Sequence, residues 1–165
     1  MSAISGIYHF NKHAISSTDL AALSAAMQHH GQDGNGIHID QHCGLAQQTS
    51  HLTQESLSET FPYTDPHHQI NLVTHCRLFN YKELRNQLAP DRSVGDGELI
   101  ILAYLKWQLN FVEHLVGEFS IVLWDGKNQQ LICVSDHFNT RPLYYYADHK
   151  MLAFASEMRA LHHLK

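Results

Sequence analysis

The chain has 165 residues, 44% of them hydrophobic, and a formal net charge of −5. This composition predicts one globular domain with a sizeable core, and the scattered charges provide no basic surface for nucleic acid. We find no long apolar run and no secretory signal, so we expect a cytoplasmic protein without a membrane span. Three well-separated cysteines favour reduced thiols over a disulfide framework.

Histidine is unusually frequent, with 15 residues that include the adjacent pairs His29-His30, His67-His68 and His162-His163. Neighbouring side chains point to different sides of a helix or strand, so an adjacent pair is not expected to share one metal ion. His38, His42 and Cys43 are a candidate metal set if a turn brings them together, but solvated loop residues are the simpler interpretation. We therefore predict no metal site.

In chain order, the apolar residues 3–10 predict a strand, and residues 16–18 offer N-caps to an amphipathic helix over residues 19–30. Residues 37–39 and 43–46 predict a strand pair, and the dipeptides Asp33-Gly34 and Asn35-Gly36 are typical of hairpin turns. The polar, proline-containing residues 53–69 indicate a surface loop. A strand over residues 70–79, a helix from residue 80 and a long helix over residues 96–108 follow, with a short helical link at residues 111–116.

Residues 116–157 contain four apolar runs rich in strand-forming residues, at 118–124, 130–135, 143–147 and 151–156. Turn-forming segments separate them, which predicts one antiparallel meander. Each run is apolar on both faces, so we expect a sheet that is covered on both sides. Together with the helices, this predicts an α+β layered fold.

The segments HLVGEFSIVLWD, SDHFNTRPLYYY and FASEMRAL, with NYKELR earlier in the chain, closely resemble blocks of one family. This family is the class II glutamine amidotransferase domain, found at the front of asparagine synthetases. The resemblance implies a single domain over residues 1–165 with the N-terminal nucleophile fold. That fold is a four-layer αββα sandwich of two antiparallel sheets, with glutamine bound near residue 2.

The resemblance places Ser2 at the position of the family's nucleophile, which is a cysteine exposed by removal of the initiator methionine. The freed α-amino group serves as general base. A serine hydroxyl is far less ionised than a thiol, and if Met1 is retained its peptide bond removes the base. Ser2 is therefore a nucleophile position that we expect to be inactive.

Other glutamine-handling positions of the family are also replaced. Thr49 stands at the arginine that holds the α-carboxylate, and threonine lacks the bidentate guanidinium. His75 and Cys76 stand at the asparagine and glycine that form the oxyanion hole, and Arg77 stands at a glutamate. Asp96 matches the aspartate that receives the α-amino group, although a helix N-cap explains it equally well.

These replacements indicate an amidotransferase-like domain without glutaminase activity, which serves as a scaffold within an asparagine-synthetase-like, amide-forming enzyme. We expect no cofactor in this domain, because ATP and Mg belong to a synthetase domain, and no S-G-G-x-D-S loop occurs here. The opening MSAISGIYHF resembles that of lasso-peptide cyclases, which close a macrolactam. Two alternatives stay open. One is an active N-terminal serine amidohydrolase that supplies ammonia, and the other is an interaction module that packs on a synthetase domain or forms a homodimer.

Overall fold

The computed structural model describes residues 2–51, 57 and 59–164. The strands are β1 (Ala3–His9), β2 (Gly34–Asp40), β3 (Cys43–Thr49), β4 (Tyr63–Asp65), β5 (Ile70–Leu78), β6 (Gly117–Asp125), β7 (Gln130–Ser135), β8 (Tyr144–Ala147) and β9 (Met151–Ala155). The α-helices are α1 (Ser17–Ala25), α2 (Tyr81–Leu88), α3 (Asp96–Trp107) and α4 (Met158–Leu161), and short 3-10 helices cover Gln28–His30 and Gln108–His114.

The strands form two sheets. The first sheet has the order β2-β3-β1-β9-β8, and the second has the order β4-β5-β6-β7. Every neighbouring pair is antiparallel. The predicted α+β fold with two antiparallel sheets is therefore confirmed.

Three hydrophobic clusters separate four layers. One lies between α1, α4 and the outer face of the first sheet and includes Leu20, Leu23 and Ile7. A second lies between the two sheets and includes Leu45, Trp124 and Phe154. The third lies between the second sheet and helices α2 and α3, and includes Leu84, Leu99 and Ile121. Because the central strands of each sheet are covered on both faces, the layers form the αββα sandwich that the family resemblance implies.

Strand β6 illustrates why these residues form the centre of the sandwich. Ile121 and Leu123 face the helices, whereas the alternate residues Val122 and Trp124 face the other sheet. All four side chains are fully buried, and burial of each such side chain is worth roughly 1.5 to 3 kcal/mol. A strand covered on both faces has to be apolar throughout, which confirms the prediction for this part of the chain.

The prediction of one four-stranded meander is wrong. Strands β6 and β7 belong to the second sheet, whereas β8 and β9 belong to the first. Asp136, directly after β7, organises the crossing. Its carboxylate accepts hydrogen bonds from the main-chain N–H of Phe119 at 3.1 Å, of Phe138 at 2.9 Å and of Thr140 at 3.2 Å, and from the Thr140 hydroxyl at 2.5 Å. The chain therefore turns away from the second sheet here instead of folding back beside β7.

The tyrosines of β8 also differ from expectation, because this strand is not covered on both faces. Tyr144, Tyr145 and Tyr146 are 38%, 73% and 47% exposed. Strand β8 lies at the edge of the first sheet and pairs only with β9 among the described strands. Its aromatic residues suit an edge strand as well as a buried one, so composition alone did not distinguish the two.

Several predicted boundaries shift. Both Asx-Gly dipeptides lie at the start of β2, and the β2–β3 hairpin turns instead at Gln41, whose φ is 49°. Ser16 does cap α1 by accepting from the Asp19 N–H at 3.2 Å, but α1 ends at Ala25. Residues 53–69 contain β4, so the predicted loop is wrong there; residues 53–56 and 58 lie outside the described part of the chain.

Helix α3, with 12 residues, is the longest described helix. Within the described part of the chain, no helix combines the length and the apolar character that a membrane crossing requires.

Candidate functional site

A cavity of about 330 Å³ opens where the start of β1, the end of β3, the second half of β5 and the start of α3 meet. It is lined by residues from both sheets and from the segments that join them, namely Ser2, Gln47, Thr49, Ser50, His51, Glu59, Phe61, Thr74, His75, Cys76, Arg77, Asp96 and Arg141. The fold thus brings all six candidate residues from the sequence into one cavity. They come from positions up to 94 residues apart in the chain (96 minus 2).

Ser2 lies just before β1, beside the end of β3. Its Oγ donates a hydrogen bond to the carbonyl oxygen of Ser50 at 3.3 Å and accepts one from the N–H of Ser50 at 3.0 Å. The hydroxyl therefore both donates to and accepts from the main chain of Ser50. Met1 lies outside the described residues, so the prediction about its removal stays a prediction.

Thr49 is the last residue of β3, and its side chain is buried at the cavity wall. Two residues earlier, the Oε1 atom of Gln47 accepts a hydrogen bond from the Thr74 N–H at 2.9 Å. This bond joins the two sheets beside the cavity, because β3 belongs to the first sheet and β5 to the second. Thr49 supplies a hydroxyl here and no positive charge.

The second half of β5 supplies His75, Cys76 and Arg77. Burial lowers the pKa of His75 to about 4, and the positive charge of Arg141 acts in the same direction. The ring of His75 is therefore neutral at pH 7, and its Nε2 atom has no hydrogen-bond partner among the described residues. Arg77 is an exposed residue at the rim.

Cys76 interacts with Asp96 across the cavity wall. Its Sγ donates to Oδ2 of Asp96 at 3.7 Å. Burial raises the pKa of the Cys76 thiol well above its usual value, and the nearby Asp96 charge raises it further. The thiol is thus protonated at neutral pH and is not a thiolate nucleophile.

Asp96 is the first residue of α3, and the N-cap is Gly95, so the N-cap interpretation of Asp96 is wrong by one position. Glu59 satisfies the helix end instead, because its Oε1 accepts from the N–H of Gly97 at 2.9 Å and of Glu98 at 3.4 Å. A Cβ at Gly95 would lie 2.0 Å from Cδ of Glu59, which explains the absence of a side chain there.

Glu59 brings a second carboxyl group into the cavity beside Asp96. Burial raises its pKa to about 7; the hydrogen bond from Gly97 opposes this shift, and the charge of Asp96 adds to it. The Glu59 carboxyl therefore exchanges its proton near neutral pH. Its position at the amino end of α3, where main-chain N–H groups converge, is one that favours an anion.

Arg141 contributes a guanidinium group to the cavity wall from the segment between β7 and β8. Its Nη2 donates to Oε2 of Glu118 at 2.9 Å, and the arginine side chain is 17% exposed. This ion pair joins the crossing segment to β6. A cation is therefore present in the cavity although Thr49 supplies none.

Sequence reasoning did not single out Glu59, Phe61 or Arg141. Arg141 lies within the segment SDHFNTRPLYYY, so the resemblance marked its region but not its side chain. Glu59 and Phe61 lie in a polar, proline-containing segment that reads as an ordinary loop. No local pattern signals that such a segment folds inward, because the contact with α3 is made only in the tertiary structure.

The histidine predictions have mixed outcomes. His38, His42 and Cys43 do not bring their ligand atoms together, because the ring of His42 is buried against Tyr8 and Trp124. The expectation that adjacent histidines point apart is wrong for His29 and His30. Their ring centroids are 4.2 Å apart, and both rings contact the carboxylate of Glu157, since they lie on a tight 3-10 turn and not on an α-helix.

Comparisons with known proteins agree with this geometry. The family described as "Glutamine amidotransferase domain" matches residues 1–165. The amidase chry2 of Gibberella zeae is 34% identical over 137 residues, which are 80% of this chain and 20% of that protein. The "Asparagine synthetase [glutamine-hydrolyzing] 2" of Bacillus subtilis is 28% identical over 144 residues, which are 86% of this chain and 19% of that protein. The chain thus spans about a fifth of the length of these relatives.

Solved structures support the same fold. The glutamine phosphoribosylpyrophosphate amidotransferase of B. subtilis, solved in complex with ADP and GMP, superimposes with a TM-score of 0.76. The match covers 97% of this chain and 43% of that one at 17% sequence identity, so it bears on the fold alone. From the family match, the relatives and the fold together, we conclude that the chain belongs to the class II glutamine amidotransferase domains of the asparagine synthetase family.

Proposed function

We propose that this domain does not hydrolyse glutamine and serves as the scaffold of an ATP-dependent, amide-forming enzyme of the asparagine synthetase type. The observation that carries the proposal is the pairing of Ser2 with Ser50. The Ser2 hydroxyl both donates to and accepts from the Ser50 main chain. A serine nucleophile needs its proton directed to a base, but here the proton is directed to the Ser50 carbonyl oxygen, which is not a base, and one of the two oxygen lone pairs is taken by the Ser50 N–H.

The oxyanion positions point the same way. In amide hydrolysis, a main-chain or side-chain donor must lie where negative charge develops on the carbonyl oxygen, and each such donor is worth roughly 3 to 4 kcal/mol. At these positions, Cys76 directs its thiol to Asp96. That contact also occupies the one carboxylate of the family's glutamine site that this sequence retains. A glutamine α-amino group would have to compete with the thiol for it.

The charge balance of the cavity further disfavours glutamine. Two carboxyl groups, those of Glu59 and Asp96, line it together with Arg141, whose guanidinium pairs with Glu118. The α-carboxylate of a free amino acid would approach two acidic groups, without the arginine that the family places at position 49. Like charges in a confined cavity are mutually unfavourable.

We further propose that a synthetase domain, in the same chain or a separate one, performs the chemistry. The related asparagine synthetases contain this region as about a fifth to a quarter of their length, which leaves room in those proteins for a catalytic domain. ATP and Mg would bind there, and the present domain would contribute packing surface, either to the synthetase domain or in a homodimer. This assignment implies a cytoplasmic enzyme.

A domain that no longer provides ammonia suits an enzyme whose substrate already carries its amine. Macrolactam closure in a lasso peptide is such a reaction, because a peptide's own N-terminal amine attacks an activated side-chain carboxylate. The loss of several glutamine-handling groups supports this class of substrate. The amide ligase would then keep the amidotransferase fold for its shape and not for its reaction.

The second candidate function is an N-terminal serine amidohydrolase, and two observations favour it. The relatives in Gibberella zeae and Penicillium rubens are named amidases. In addition, His75 carries a neutral ring whose Nε2 has no partner among the described residues, in the same cavity as Ser2. Such a nitrogen can donate to a developing oxyanion in place of the family's asparagine.

The deciding experiment measures glutamate release from glutamine by the purified protein, with the intact mass of the same sample recorded to establish whether Met1 is present. A Ser2→Ala variant is the matched control. We expect equal, background release from both proteins, even when the mass shows that Met1 is absent. Release above the Ser2→Ala level from molecules without Met1 would establish the amidohydrolase and overturn the scaffold assignment.

A Ser2→Cys variant sharpens the result. If only the nucleophile were missing, cysteine at this position would restore glutamine hydrolysis. We expect it to remain inactive, because Thr49 and Cys76 still occupy the carboxylate and oxyanion positions. Adding Thr49→Arg, His75→Asn and Cys76→Gly to Ser2→Cys tests whether the fold can still support the family's reaction once those groups are returned.

A further inference from the structure

A compact group of nitrogen and oxygen atoms lies on the side of the first sheet near the start of β1. Oε1 of Glu157 is 2.8 Å from Nε2 of His29 and 2.6 Å from Nε2 of His30. One nitrogen of each ring and one carboxylate oxygen lie within 4.8 Å of one another. The residues come from opposite ends of the chain, 127 and 128 positions apart, so tertiary packing assembles the group.

This set matches the ligands of a transition-metal ion. Two imidazoles and one carboxylate are a common set for zinc, and imidazole nitrogen selects borderline metals over Mg²⁺ or Ca²⁺. Around zinc at roughly 2.0 to 2.1 Å from each ligand, tetrahedral ligand atoms are about 3.3 Å apart. The two hydrogen-bonded distances need to lengthen by less than about 1 Å to reach that spacing, which small side-chain rotations provide.

The backbone supports this arrangement. His29 and His30 lie in the 3-10 turn Gln28–His30, where the chain holds both rings on one side. Glu157 follows Ser156, whose N–H donates to the Ile4 carbonyl at 2.9 Å and whose Oγ accepts from the Ile4 N–H at 2.9 Å. The carboxylate is thus anchored to β1, and the three side chains are 46%, 20% and 23% exposed, which leaves an approach for an ion from solvent.

We infer that His29, His30 and Glu157 form a binding site for one divalent transition-metal ion of the zinc type. The protein supplies three ligands, and the fourth position is open to water or to an anionic or amide ligand. The site is distinct from the cavity that contains Ser2, and it does not depend on whether glutamine is hydrolysed. Its position beside the start of β1 places it close to the same end of the sandwich.

Arg159 provides the sharpest test of this assignment. Its Nε pairs with the second oxygen of Glu157, and its Nη2 lies 2.9 Å from Nε2 of His29. The positively charged guanidinium therefore lies next to the proposed metal ligands, where a metal ion would also bring positive charge. Its side chain is 63% exposed, so its removal or displacement costs little packing. A metal ion competes with this positive charge, so removing it should strengthen metal binding, whereas a simple ion-pair network would only lose a contact.

The experiment titrates the untagged, chelator-treated protein with Co²⁺, whose visible absorption reports coordination by protein nitrogen and oxygen, and then displaces Co²⁺ with Zn²⁺. We expect one ion per chain. His30→Ala and Glu157→Gln should each weaken binding by at least about tenfold, and Arg159→Ala should bind at least as tightly as the original protein. His162→Ala is the matched control, since it removes an exposed histidine from another adjacent pair and should leave binding unchanged.

Thermal unfolding with and without Zn²⁺ separates loss of binding from loss of folding, because Glu157→Gln keeps the size and hydrogen-bonding capacity of the side chain. At a hundredfold excess over the dissociation constant, a specific ion stabilises the fold by about 2.7 kcal/mol. The assignment is overturned if Co²⁺ gives no coordination spectrum at one equivalent. It is equally overturned if His30→Ala and His162→Ala reduce binding to the same extent, which would indicate nonspecific binding by scattered histidines.

Discussion

Along β5, the same continuous strand passes through two different environments. Residues 70–74 are buried, and Ile70, Leu72 and Val73 pack in the two cores, whereas His75 and Cys76 are partly buried, Arg77 is exposed, and all three line the cavity. The pairing with β6 continues in unbroken register through both halves, up to Leu78 and Gly117. The backbone is therefore held by the ladder in either half, and the side chains of the cavity half are free to change without loss of the fold.

This contrast shows how the fold can be kept while the side chains at the proposed glutamine site change. Apolar contacts in the buried half contribute kilocalories each and tolerate few replacements. In the cavity half, His75 and Cys76, at the positions where the resemblance predicts oxyanion donors, disturb no strand pair. The side chains of the cores thus stabilise the architecture, whereas a largely separate set of side chains determines the chemistry of the cavity.

The largest effect is expected for Trp124→Ala. This side chain is fully buried between the sheets, and its Nε1 donates to Asp40 at 2.7 Å. Truncation creates a large cavity and leaves the carboxylate of Asp40 without its donor, so we expect a loss of about 3 to 5 kcal/mol in the free energy of unfolding. Urea denaturation followed by circular dichroism measures it. A loss below about 1 kcal/mol would contradict the assignment of Trp124 to the central core.

The next effect concerns the crossing between the sheets. Burial opposes ionisation of Asp136, but hydrogen bonds from Thr140, Phe119 and Phe138 outweigh it and lower the pKa to about 2. Because the pKa of Asp136 is lower in the folded protein than in the unfolded chain, its ionised carboxylate stabilises the fold at pH values above about 4. This contribution is lost as pH falls from about 4 towards 2. We expect Asp136→Asn to cost about 1 to 2 kcal/mol at pH 7 and much less near pH 2.

Unfolding of both proteins between pH 2 and pH 7 tests this behaviour, with Asp91→Asn as the control at an exposed position. A constant difference across the range would show that the carboxylate charge at Asp136 has no special role in turning the chain from one sheet to the other.

A third prediction carries the opposite pH dependence into the cavity. Since burial raises the pKa of Glu59 to about 7, folding costs more as this group ionises. The contribution of Glu59 to the free energy of unfolding is therefore fully present below pH 4.5, the pKa of this group in the unfolded chain. It is lost as pH rises through about 7, the pKa in the folded protein. We expect Glu59→Gln to match the original protein near pH 4.5 and to be more stable by about 1 to 2 kcal/mol at pH 8.

Glu83→Gln, an exposed position on α2, is the matched control and should show no such gain. Unfolding free energies at the two pH values are the measurement. A loss of stability at pH 8 in Glu59→Gln would mean that the ionised carboxylate at the start of α3 is favourable, and that the cavity is tuned for stability in the same way as the cores.

The smallest effect is expected at the edge of the first sheet. Tyr145 is 73% exposed on β8, so Tyr145→Ser should change the free energy of unfolding by no more than about 0.5 kcal/mol. The same denaturation assay measures it. A loss of several kcal/mol would show that β8 packs into a core, and that exposed side chains also contribute strongly to the stability of this fold.

Much of the architecture was predictable because local patterns carry it. Local sequence determines the continuous apolar run of β6, the helix over residues 96–107 and the cap at Ser16. The resemblance to amidotransferase domains added the layer order, and the comparisons support the family. All six candidate site residues lie in one cavity, although their roles in catalysis stay predictions.

What the sequence by itself determined is therefore the α+β layering, which follows from periodicity, and, through the resemblance to amidotransferase domains, the αββα layer order and the candidate site positions. Only the tertiary structure decided which sheet each strand of the expected meander joins, that Glu59 folds inward onto α3, and that His29 and His30 meet Glu157. These contacts join residues 38 to 128 positions apart. Their free energies depend on packing between distant segments, which no local pattern encodes.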